Sequence, residues 1–119
     1  MLQLDLPGTQ LDPGAEIDVY LNWEFETAPS SIELRVVWNT SGKGDQDLKI
    51  VQTHSVDHPS ERGQHPFTVT LPWGPYSFSG KLISLTWALE CVALPNHEST
   101  RVEFIMAPGG DEVLLGSVG

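Results

Sequence analysis

The residues best suited to metal or proton chemistry in this 119-residue chain are its four histidines. His54 and His58 stand four apart with Asp57 between them, near the end of a weakly patterned stretch. His65 follows Gly63, and His97 sits in a turn segment. On an extended strand two residues at that spacing share a face but lie ~13 Å apart, too far for one zinc ion without a sharp loop between them. The expected state of these histidines is therefore a solvated loop position, with no metal and no cofactor bound. Gly42-Lys43-Gly44-Asp45-Gln46-Asp47 has the look of an ion-binding loop but fails on chemistry. A phosphate loop needs Gly-Lys-Ser/Thr opening a helix, and a calcium loop needs more oxygens at alternate positions than Asp45 and Asp47 supply. A tight hairpin with Gly42 or Gly44 at positive φ is expected instead.

Nucleophiles fare no better. Ser77 and Ser79 lack the glycine pattern of a nucleophile elbow, and Cys91 falls on an apolar row beside Leu89. No catalytic residue is expected, and the chain reads as non-enzymatic. The aromatic residues carry more information. Trp23, Trp38 and Trp87 occupy apolar rows and are expected in the core. Trp73 lies with Tyr76 and Phe78 in a segment holding Pro72, Gly74, Pro75 and Gly80. Two prolines fix φ and remove donors there, so the segment must cross between strands as a stiff connection. At least one of its three aromatics should reach solvent, because a turn has one side to hide. Trp73, Tyr76 and Phe78 are the candidate partner-binding residues, since exposed aromatics on a stiff backbone make good anchors. The competing expectation is that they cap the open end of the fold.

The elements that must position these residues are strands. Ile17, Val19, Leu21, Trp23 and Phe25 alternate with Asp, Asn and Glu, interrupted only by Tyr20. Ile32, Leu34, Val36 and Trp38 repeat the pattern, as do Phe67, Val69 and Leu71, the long row Ile83, Leu85, Trp87, Leu89 and Cys91, and Val102, Phe104 and Met106. Leu2, Leu4 and Leu6 supply a short first strand. In 47–55, Leu48 and Ile50 share a face that Gln52 and His54 continue, which marks an edge. The count is seven strands. Val113 to Val118 reads as an eighth short strand or a frayed tail. Gly and Pro together make 20 residues and punctuate the chain too often for helices. An all-β antiparallel sandwich follows, with residues 1–110 as one domain and 111–119 as the terminal strand or tail.

Composition narrows function. Six Lys and Arg against 16 Asp and Glu give a formal net charge of −10, which repels a phosphate backbone, so nucleic acid is not an expected partner. The apolar runs fall far short of the ~20 residues a membrane helix needs. One cysteine makes no internal disulfide, no secretory signal is visible, and the expected compartment is the cytoplasm. Asn39-Thr40-Ser41 matches a glycosylation acceptor that is idle without export.

Pro66-Phe67-Thr68-Val69-Thr70-Leu71-Pro72, followed by Pro75-Tyr76-Ser77-Phe78-Ser79-Gly80 and then by Trp87 in a long strand, resembles the arrestin-like superfamily. There a phenylalanine-led strand ends in Leu-Pro, a Pro-x-Ser-x-x-Gly connection follows, and a long strand carries a central aromatic. Pro13-Gly14 with Val19 is similar to the family's approach to its second strand, and Ile32-Glu33-Leu34-Arg35-Val36 to its third. The resemblance runs over roughly residues 2 to 107, with its specific part from Phe67 to Trp87. It implies an immunoglobulin-like, arrestin-type antiparallel β-sandwich of seven or eight strands. Arrestins proper have two such sandwiches and this chain has length for one, so their phosphate-sensing charge network has no assignable counterpart. What the resemblance implies is an adaptor or scaffold that binds a protein partner; the contact expected from the residues themselves uses Trp73, Tyr76 and Phe78 or a strand added along the 47–55 edge. Self-association through that edge is a related expectation. A second reading is a carbohydrate-binding module, because such modules are also sandwiches with aromatic platforms and acidic loops.

Overall fold

The computed structural model describes residues 1–42, 47–80, 83–110 and 113–114. The Lys43–Gln46 part of the expected hairpin and most of the 111–119 tail lie outside the described residues. Alternation does become strand: Glu16–Glu24, with apolar side chains at every second position, buries Ile17, Val19, Leu21 and Trp23 and turns Glu16, Asp18, Tyr20 and Glu24 to solvent. Ten strands are described: β1 (Leu2–Asp5), β2 (Gln10–Leu11), β3 (Glu16–Glu24), β4 (Ser31–Gly42), β5 (Leu48–Asp57), β6 (Arg62–Thr70), β7 (Phe78–Ser79), β8 (Ile83–Leu94), β9 (Glu98–Met106) and β10 (Val113–Leu114). Three of them, β2, β7 and β10, are two-residue pairings too short to show a period, and the other seven are the expected strands. The described residues contain no α-helix, only a 3-10 turn at Pro108–Gly110.

One sheet has the order β1-β3-β6, antiparallel throughout. The other runs β10-β7-β8-β4-β5, with β9 also on β8 and β2 parallel to β9. Since β4 takes one side of β8 along its whole length, β7 and β9 divide the other side, β7 at Ser84 and Leu85 and β9 from Trp87 to Ala93. The inner faces meet in one core, whose largest fully buried side chains include Trp87, Leu21, Ile32, Leu34, Leu71 and Leu89. Each such side chain contributes about 1.5–3 kcal/mol by leaving water. Cys91 is in this core, as its row required.

The structure departs from simple alternation at several points. In β5, Val36 pairs with Gln52 but Val37 pairs with Ile50, so Val51 is an extra residue, a β-bulge. A one-residue slip moves every later side chain to the other face. Leu48 and Ile50 therefore do not continue the face of Gln52 and His54. They lie on the outer face beside Asn39 and Val37, 62 % and 49 % exposed. Second, β4 and β8 are three residues longer than β3 and β6, so their ends overhang the smaller sheet: Ile83 is exposed and Trp38 only half-buried. Third, Val37 and Ala88 are fully buried although they point outward. They lie among long charged side chains: Arg35 pairs with Glu33 at 2.6 Å, and Arg101 binds Glu90 and the Asn39 side-chain oxygen. The aliphatic stems of such residues cover apolar surface while their heads stay wet.

Candidate functional site

The stiff connection expected between β6 and β8 is fixed at both its ends and its middle. Leu71 N–H donates to Ala15 O at 2.8 Å and Gly14 N–H to Pro72 O at 3.1 Å, tying its start to the turn before β3. The buried Trp87 indole donates to Pro75 O at 2.7 Å, so the core holds the middle. Ser77, 1 % exposed, exchanges two bonds with Met106: its N–H donates to Met106 O at 2.8 Å, and its hydroxyl accepts from Met106 N–H at 2.9 Å. The Gly74–Pro75 bond is cis.

On this backbone the three candidate aromatics divide. Trp73 is 77 % exposed, yet its ring is not loose. It lies on Gly14, where a Cβ would meet ring carbons at 2.5–2.7 Å, and Gly14 has φ +72. Glycine is needed there both for the left-handed backbone and for the close approach of the ring. Tyr76 is 41 % exposed. Phe78 is a different case: as part of β7 it pairs with Leu85 and packs half-buried against the core, so it supports the surface rather than presenting it. The connection thus offers a flat indole face with a second aromatic close along the chain. The seat of the ring is the residue that sequence reasoning missed, although Pro13-Gly14 was visible as a pair. The indole N–H of Trp73 has no partner among the described residues, which leaves one donor for a ligand.

The edge of β5 is the other expected contact surface, and among the described residues β5 has no strand on its side away from β4. Its bulge at Val51 breaks the run of backbone groups an added strand would need, which is a common device against edge pairing. Below the bulge, Gln52 turns inward and its amide donates to Thr70 O at 2.7 Å across the seam between the sheets.

The histidines are not all loop residues. His54 and His65 lie on β5 and β6, half-buried, with their rings edge-on to Phe67 at centroid distances of 6.2 and 4.7 Å. His58 and His97 are turn residues at φ 51 and 62, the left-handed region. No group of three or more His, Cys, Asp or Glu converges among the described residues. Burial pushes the Cys91 thiol up to about 12, with a smaller opposing effect from the backbone of Val92, and an ionised nucleophile is remote from such a site. No described helix is long and apolar enough to cross a membrane.

Two stacked, predominantly antiparallel sheets joined by this connection form an arrestin-type β-sandwich. Among solved structures the chain is similar to Spo0M, a sporulation control protein from Bacillus subtilis, with a TM-score of 0.63 at 17% identity. The match covers 88% of this chain and 48% of the Spo0M chain, so this chain spans about half of that protein's length. The likeness shows the fold. No protein-family model matches the chain, and no curated protein matches it.

Proposed function

We propose that this domain is a non-enzymatic adaptor or scaffold that binds a protein partner through Trp73 and Tyr76. The observation that carries the reading is an indole 77 % exposed to water, seated on Gly14 and mounted on a backbone that Trp87 and Ser77 tie to the core. An anchor already held in one place loses little conformational entropy on binding, which is what makes rigid aromatics efficient contacts. The acidic surface favours a partner with a basic patch, through steering and specificity more than through affinity. A regulatory role agrees with the description of Spo0M as a sporulation control protein. The lone buried Cys91 suits a reducing cytoplasm.

Affinity capture with the whole chain, compared with a Trp73→Ala/Tyr76→Ala variant, tests the proposal. A partner retained by the first and lost by the second, at equal melting temperature, is the expected result. Equal recovery on both removes this surface. Heat on calorimetric titration with a common polysaccharide, abolished by Trp73→Ala, would replace a protein adaptor with a carbohydrate-binding module.

A further inference from the structure

The end of the sandwich opposite Trp73 carries a groove that the adaptor reading does not use. Three connections meet there, between β3 and β4, between β5 and β6, and between β8 and β9. Two adjoining depressions share Phe25 and Ala28. The larger, about 540 Å³, is bounded by Glu24, Ser60, Glu61 and Arg62 as well. The smaller, about 170 Å³, runs on past Pro29, Ala93, Leu94, Pro95 and Glu98. The walls are built rather than loose. Phe25 N–H donates to Glu61 O at 2.8 Å, the Trp23 indole to Ser60 O at 2.8 Å, and Ser30 N–H to Leu94 O at 2.8 Å.

Charge on the rim is one-sided. Both cations described at the rim are taken: Arg62 pairs with Glu24, and the Met1 ammonium lies 2.9 Å from Glu98. Glu61 is exposed and its carboxylate has no partner among the described residues, although it stands beside the half-buried Phe25 ring. Phe25 and Ala28 share the larger depression with the unpaired carboxylate, and Pro29, Leu94 and Pro95 extend the apolar surface into the smaller one, which matches a side chain with a cationic head flanked by apolar neighbours. Its aliphatic stem lies along Phe25 and Ala28, and the head reaches Glu61 across the ring face. We propose that this groove is a second docking site, which takes an extended partner segment carrying a lysine or arginine flanked by apolar residues.

Probing the whole chain with an array of random-sequence heptapeptides tests this. The expected selection is for Lys or Arg beside apolar residues, with binding that weakens as salt is raised. Glu61→Gln should weaken the selected peptides at least about tenfold, and Trp73→Ala should leave them unchanged. Glu61 is exposed, so the variant should melt with the parent chain. Selection without basic enrichment, no selection at all, or undiminished binding to Glu61→Gln overturns the proposal. Loss on Trp73→Ala instead assigns the peptides to the aromatic surface and overturns it too, leaving the adaptor reading standing.

Discussion

Replacing Gly63 by alanine would set a methyl carbon 2.5 Å from Cζ2 of Trp23 and 3.0 Å from its Cε2 and Cη2. Carbon atoms pack at about 3.5–4.0 Å, so the ring has to retreat by up to an ångström or more. It has little room. Trp23 is 5 % exposed, and its indole N–H is committed to Ser60 O at 2.8 Å. Overpacking of this kind costs about 1–3 kcal/mol, and breaking the indole bond adds roughly 0.5–1.5 kcal/mol. Stiffening the unfolded chain returns about 0.4–1 kcal/mol. The net loss is about 0.5–4 kcal/mol, a fall in melting temperature of roughly 2–20 °C for a domain of this size. Gly8→Ala is the matched control, since a Cβ there meets nothing within 4 Å. Thermal unfolding followed by circular dichroism reads both. A Gly63→Ala chain as stable as the parent would show that the ring does not lie on that backbone, and the wall of the Phe25 groove would go with it.

Other substitutions separate anchoring from stability. Trp73→Ala and Tyr76→Ala should each change unfolding free energy by less than about 1 kcal/mol in urea titration, because truncating exposed side chains costs little. Ser77→Ala removes the acceptor of Met106 N–H and leaves a buried donor bare, so it should destabilise by about 1–3 kcal/mol on the same titration. Cys91 should resist an aromatic disulfide reagent at pH 8 until the chain unfolds, because burial raises its thiol from 9.0 to about 12. The folded thiol stays neutral where the unfolded one ionises, so its contribution is complete below about pH 9 and is lost as pH rises toward 12. Stability measured across that window should fall faster in the parent than in Cys91→Ala.

Much of the fold was legible because one face of each long strand meets a core and the other meets water. Val19, Leu34, Leu89 and Phe104 could be placed from period alone, and the exposure of at least one aromatic in 72–80 followed from a turn having one side to hide. What escaped has a common cause: it depends on pairing rather than on local pattern. The bulge at Val51 turned Leu48 and Ile50 outward, and nothing in Leu48-Lys49-Ile50-Val51 marks an extra residue. Val37 and Ala88 are buried beside side chains from neighbouring strands. The parallel contacts of β2 with β9 and of β10 with β7 join segments far apart in the chain. His54 and His65 reach the same phenylalanine only because the edges of two sheets meet. At the candidate site, Trp73 was visible but its seat on Gly14 was not, since Pro13-Gly14 and Trp73 are 59 residues apart and only the fold brings them together.

A stiff connection that presents Trp73 to solvent, tied to the core through the Trp87 indole, can be tested directly by hydrogen exchange of the indole N–H groups in solution NMR. The Trp87 and Trp23 indoles, bonded to Pro75 O and Ser60 O, should exchange slowly, while Trp73 exchanges at nearly the rate of a free indole. A protected Trp73 together with a freely exchanging Trp87 would mean that the ring is buried and its mount is loose, the reverse of the anchor described.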